Sequence, residues 1–147
     1  MPRGTALNLL SRREHSRAEL ERKLRRKGFS PDAIEAALDA LGAEGLQSDE
    51  RYTEAYVRWR YGRGYGPRRI LAELRERGIS GAFAERFVDT SNSVWIENSR
   101  AAHLKKFGAS PSVEPAERAR QTRYLEYRGF THEQIRAALS NREHEDS

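Results

Sequence analysis

The residues best equipped for chemistry in this sequence are its arginines. Between Ala55 and Ala72 stand Arg58, Arg60, Arg63, Arg68 and Arg69 with no acidic residue among them, a local charge of +5 in a chain otherwise dense in acids. A guanidinium offers planar, delocalised donors that match carboxylate and phosphate oxygens. Tyr56, Trp59, Tyr61 and Tyr65 are interleaved with these cations, and aromatic faces can stack on bases. Nucleic acid or an acidic protein groove therefore fits as the partner. The aromatics divide by helical position. Tyr52, Ala55, Tyr56 and Trp59 recur at i, i+3, i+4 and i+7 and are expected in the core. Tyr61 falls on the opposite side, and Tyr65 lies in a connection loosened by Gly62, Gly64 and Gly66, so both are candidate contact residues.

A second basic cluster, Arg22, Lys23, Arg25, Arg26 and Lys27, is diluted by Glu19 and Glu21. Its counterparts Arg75, Arg77, Arg123 and Arg128 recur later in the chain. Cations at helix C-termini on a solvated face account for each one singly; as a set they form a stripe, from which Arg25, Arg26, Arg75 and Arg77 join the candidate contacts. Lys105 and Lys106 make a smaller basic spot.

Other chemistries are excluded more readily. No cysteine is present, which removes disulfides and thiolate nucleophiles. His15, His103, His132 and His144 stand apart, without the helical spacing of a two-histidine metal site. Asp49, Glu50, Glu73 and Glu76 sit among bases with no spaced metal constellation. Gly62-x-Gly64-x-Gly66 lacks both a preceding strand and the Gly-Lys-Ser/Thr ending of a phosphate loop, and reads as a hinge or tight turn. The expectation is a binding protein with no catalytic residue, metal or cofactor.

These side chains must be carried on helices. Charged residues make up 33% of the 147-residue chain, with 27 Lys plus Arg against 22 Asp plus Glu for a net +5, and the mean hydropathy is -0.89. Apolar surface is thus confined to helix faces. The N-terminus lacks the apolar core of a signal peptide, and no stretch approaches the roughly 18 apolar residues of a membrane span. A cytoplasmic monomer with no membrane partner is expected.

One junction occurs three times: Lys27-Gly28-Phe29-Ser30, Arg77-Gly78-Ile79-Ser80 and Arg128-Gly129-Phe130-Thr131. In each, a cation favours the negative end of a helix, and glycine follows where the chain needs left-handed dihedrals. The Ser or Thr then caps the next helix, and the apolar residue before it staples onto the fourth helical position: Ile34, Ala84 and Ile135. Thr131 with Gln134, and Ser16 with Glu19, form capping boxes; Pro31 suits a first helical position. The flanks agree at helical spacing. Leu20, Leu24, Ile34 and Leu38 become Ile70, Leu74, Ala84 and Val88, then Gln121, Leu125, Ile135 and Leu139. A further helix precedes each pair, around Ala6 to Arg13, Asp49 to Gly62 and Ser93 to Phe107. The segment Gly108 to Pro115 is expected to be a flexible break. No period-two alternation persists, so no strand is expected. The predicted fold is all-α: three tandem three-helix repeats over 1–48, 49–92 and 93–140 in an elongated, curved molecule, with a frayed polar tail at 141–147. The middle repeat, being basic, is the expected main contact unit.

The run Leu46-Gln47-Ser48-Asp49-Glu50-Arg51-Tyr52, then Gly66-Pro67-Arg68-Arg69-Ile70, Glu73-Leu74 with Arg77-Gly78-Ile79, and Tyr124-Leu125 with Arg128-Gly129-Phe130 resemble the RecX family of bacterial RecA regulators. The similarity runs from about Ala6 to about Leu139. It implies tandem three-helix repeats, no catalytic centre, binding along the RecA filament that restrains ATPase and strand exchange, and some affinity for single- and double-stranded DNA. Gln121 departs from the apolar residue the repeat calls for, and the proline-containing loop after Phe107 is an irregular join. The competing expectation is a helix-turn-helix protein that reads duplex DNA with a helix over 80–90. That segment, with Ala82, Phe83, Phe87 and Val88, offers only Arg86 as a good base reader.

Overall fold

The structure, a computed structural model, describes residues 1–140; the expected frayed tail lies outside the described residues. Every regular element among them is a helix: α1 (Pro2–Leu10), α2 (Arg17–Arg26), α3 (Pro31–Ala43), α4 (Asp49–Gly62), α5 (Pro67–Glu76), α6 (Gly81–Ala84), α7 (Val94–Phe107), α8 (Pro115–Tyr127) and α9 (His132–Leu139). They form three successive groups of three, as the repeated junction predicts.

The corners are built alike. Gly28, Gly78 and Gly129 have φ of 92°, 84° and 101°, the left-handed region that favours glycine. The amides of Phe29, Ile79 and Phe130 reach back to the carbonyls of Leu24, Leu74 and Leu125 at 3.3, 2.9 and 3.2 Å, closing off the preceding helix. Ser30, Ser80 and Thr131 then accept from the amides of Ala33, Phe83 and Gln134, and Ile34, Ala84 and Ile135 are buried behind them. Both expected capping boxes form, at Ser16–Glu19 and Thr131–Gln134.

Some elements depart from expectation. α1 runs from Pro2 to Leu10 rather than from Ala6 to Arg13, because proline at its first position starts the helix early. The helix expected over 80–90 is the single turn α6. Beyond it the chain satisfies itself locally, with the Asp89 carboxylate accepting from the Ser91 amide at 3.0 Å and Asn92 Oδ1 accepting from the Val94 amide at 2.9 Å. The loop expected to be a flexible break is tied down. Its Ser112 amide donates to Gln121 Oε1 at 3.3 Å, and Glu114 caps α8 by accepting from the Ala116 and Glu117 amides. Gln121 is buried, and its carbonyl lies 2.7 Å from His103 Nε2. An amide thus replaces an apolar residue because the same core holds an imidazole that needs a partner.

The chain divides into two compact units, Met1–Val57 with Glu73–Phe87, and Arg58–Ala72 with the chain from Val88 onward. In the first, Ala6, Leu20, Leu24, Ile34, Leu38 and Leu41 form a continuous core, with Leu7, Leu9, Leu10 and Phe29 packed against it. Each unit also contains one copy of the same joint, in which a helix start seats on a glycine corner. In the first unit, Ser16 Oγ donates to the Arg77 carbonyl at 2.7 Å, and a Cβ on Gly78 would lie 2.2 Å from that of Ala18. In the second, the Gly66 amide donates to the Arg128 carbonyl at 2.7 Å and the Arg68 amide to that of Gly129 at 2.9 Å. A Cβ on Gly66 would meet Gly129 backbone at 2.5 Å, and one on Gly129 would meet Arg69 Cβ at 2.3 Å. Glycine is required there by close approach.

Candidate arginine–aromatic binding site

The second compact unit gathers cations and rings into a connected row. The Arg60 guanidinium lies 5.1 Å from the Trp59 ring centroid and 3.6 Å from that of Tyr65. Arg128 approaches the same Tyr65 ring at 3.8 Å and Arg69 at 4.6 Å. The row branches: Arg69 also lies 4.8 Å from the Tyr127 ring, and Arg128 lies 5.8 Å from Tyr124, whose ring receives Lys106 Nζ at 5.5 Å. The negative π-face of each ring attracts the neighbouring cation, which offsets part of the repulsion among like charges held close together.

Backbone geometry fixes this row. Arg128 donates through Nε to the Gly64 carbonyl at 3.2 Å and through Nη2 to that of Arg63, and Arg69 Nη1 donates to the Tyr127 carbonyl at 3.2 Å. The Gly66–Gly129 joint holds the start of α5 against the corner after α8, and so delivers Arg69 and Arg128 to one ring. At the edges Trp59 is 52% exposed and Tyr127 70% exposed. Arg58, Arg63 and Arg68 are exposed in the same unit. The combination offers guanidinium donors to anionic oxygens beside rings that lose water on association.

The expected site residues therefore sort differently. Arg60, Tyr65, Arg69 and Lys106 belong to the row, and Lys105 is exposed beside Lys106. Tyr61 packs its ring edge-on against Trp95 at 5.4 Å, and its carbonyl accepts from Asn98 at 3.2 Å. Trp59 corrects the helical-wheel reading. It is exposed rather than in the core, because the buried face of α4 is made by Tyr52, Thr53 and Tyr56 and ends before position 59. Arg25, Arg26, Arg75 and Arg77 lie in the first unit. There Arg25 pairs with Glu21 at 2.7 Å, and Arg77 donates to the Glu73 carbonyl at 3.0 Å with its guanidinium 4.9 Å from the Tyr56 ring. Arg26 and Arg77 help line a small cleft with Arg22, Lys23, Glu19 and Glu76. Tyr124, Tyr127 and Arg128 join the row without being among the expected contacts. The available signal was the corner cation at Arg128, in register with Lys27 and Arg77.

Among the described residues, the buried histidines His15 and His103 have structural partners. His15 Nδ1 lies 3.0 Å from the Arg13 carbonyl and Nε2 3.1 Å from Lys23 Nζ. Burial lowers its pKa; the Arg13 carbonyl opposes this, and the charges of Arg13 and Lys23 add to the lowering. Among the described residues no group of three His, Asp or Glu side chains could hold a metal ion, and no helix is long and apolar enough to cross a membrane.

Comparison with known proteins agrees along the chain. Residues 3–41, 48–87 and 96–139 match, in order, the first, second and third three-helix domains of RecX. The chain is 46% identical over 144 residues to a regulatory protein RecX of Pseudomonas putida, covering 98% of this chain and 92% of that one. It is likewise 46% identical to one from Pseudomonas syringae pv. tomato, with 98% and 93% covered. The crystal structure of RecX from Lactobacillus salivarius superposes with a TM-score of 0.81 at 24% identity, covering 94% of this chain and 92% of that one. With all three domains matched in order over nearly the full length, the chain belongs to the RecX family of regulatory proteins.

Proposed function

We propose that this regulatory protein acts on the RecA recombinase: it binds in the groove of the RecA–DNA filament and restrains ATPase and strand exchange. The row from Trp59 through Arg60, Tyr65 and Arg69 to Tyr127 carries this reading. Trp, Tyr and Arg are the residues most enriched where interfaces concentrate their binding energy. A nucleoprotein filament offers both kinds of anion, phosphates and carboxylates, that guanidinium groups recognise. The action is steric and mechanical, bridging neighbouring RecA subunits or filling space that duplex DNA must enter. It needs no catalytic residue and no cofactor. The protein works as a cytoplasmic monomer with repeats over 1–48, 49–92 and 93–140, and the middle one supplies most of the grip. Affinity for single- and double-stranded DNA is accessory and electrostatic.

The test is RecA ATPase and filament binding with Arg58, Arg60, Arg68 and Arg69 all replaced by alanine. Affinity is expected to fall by about a hundredfold, the scale of several interface arginines removed together, while circular dichroism shows helicity retained. Full inhibition by that variant removes the assignment. No observation favours the helix-turn-helix reading, since α6 is one turn where a recognition helix is needed.

A further inference from the structure

The three glycine corners are equivalent in construction but not in use. Those at Gly78 and Gly129 each receive a helix start, so closely that an added Cβ would lie 2.2 Å from Ala18 Cβ in one case and 2.3 Å from Arg69 Cβ in the other. Their carbonyl partners are Arg77 and Arg128, which accept from Ser16 Oγ and the Gly66 amide. The corner at Gly28 has the same left-handed glycine and the same return bond from Phe29 to Leu24. Yet a Cβ there would meet nothing within 4 Å, and Arg25, Arg26, Lys27 and Gly28 are exposed.

Resting on the RecA reading above, we propose that the Lys27-Gly28-Phe29 corner is a third joint, completed by a helix start on the filament partner. The two internal joints specify what fits. The incoming helix has Ser or Gly at its cap, where the Lys27 carbonyl accepts a hydrogen bond, and compact backbone in its first turn, where Gly28 leaves room. Its first turn is acidic, since acids suit a helix N-terminus and here meet Arg25, Arg26 and Lys27. One internal joint gives a precedent: Glu19, in the first turn of α2, pairs with Arg13 and lines one cleft with Arg77; the start of α5 at the other joint carries no acid, so the acidic turn follows from the three cations of this corner. A second copy of the chain does not supply this start from its third repeat. The position there in register with Ser16 and Gly66 is Glu117, which lies inside α8 with its amide already bonded to Glu114.

The chain has no cysteine, so Lys27→Cys can be labelled uniquely with a bulky maleimide and assayed for binding to RecA filaments on single-stranded DNA. Labelling at this corner is expected to weaken binding about tenfold relative to unlabelled Lys27→Cys, a loss typical of one obstructed contact region, while labelled Ala40→Cys, on an exposed face of α3, binds as the parent does. A labelled Lys27→Cys protein that binds undiminished, or an equal loss at Ala40, overturns the joint while leaving the RecA reading intact. Failure of the unmodified protein to bind filaments removes both. Sedimentation of the protein alone, showing self-association that the Lys27 label abolishes, would instead assign the corner to a second copy and overturn the partner proposed here.

Discussion

Gly66 has an ordinary backbone conformation and Gly28 a left-handed one, yet Gly66 is the less replaceable. A Cβ on Gly66 would stand 2.5 Å from backbone atoms of Gly129 and Phe130, which can yield only by opening the joint. At Gly28 the space is open and only the φ of 92° resists a side chain. We therefore expect Gly66→Ala to cost about 3 kcal/mol, the upper range of overpacking, and Gly28→Ala about 1 kcal/mol from left-handed strain. Urea unfolding midpoints of the two variants decide it; the reverse order would mean that the close approach at Gly129 does not form. Three guanidinium groups on the Tyr65 ring show the same principle, that a residue's burden is set by what meets it. Nothing near Tyr65 in sequence announces Arg128, whose backbone partners are Arg63 and Gly64.

Among the helices, caps distinguish purely local roles from joining ones. Among the described residues the Ser30 hydroxyl serves only to accept from the Ala33 amide, whereas Ser16 both accepts from Glu19 and donates to the Arg77 carbonyl. Ser30→Ala should cost about 1 kcal/mol, the usual value of a missing cap. Ser16→Ala should cost about 2 kcal/mol, since the half-buried Arg77 carbonyl is also deprived of its donor. Equal costs in thermal unfolding would show that the Ser16–Arg77 bond contributes nothing. The sequence made the corners legible because glycine, cap and staple are local requirements written into adjacent residues. The row was half legible: its arginines declared themselves by the absence of acids, but Tyr124 and Tyr127 resembled any exposed aromatics of a helix. Trp59 misled because periodicity identifies a face without saying how wide the covering layer is. Gln121 looked like a weakened core position until its partner His103, on another helix, was placed beside it.

For the molecule as a whole, 27 cations against 22 acids leave a modest surplus, and its location matters more than its size. Binding to a DNA-bearing filament should weaken steeply with salt, and removing Arg58 and Arg68 should reduce the slope of log affinity against log salt by about 2, one for each phosphate no longer neutralised. An unchanged slope would place those two arginines away from phosphate. The joints bear on the molecule in another way. Because the carbonyl of Arg77 completes the seat of Ser16, 61 residues earlier, the first compact unit is not whole until the chain has been made as far as Phe87. A nascent chain stalled after its first three helices thus carries a repeat that has all its helices but not all its neighbours. Synthesis of the second repeat is the event that closes the first.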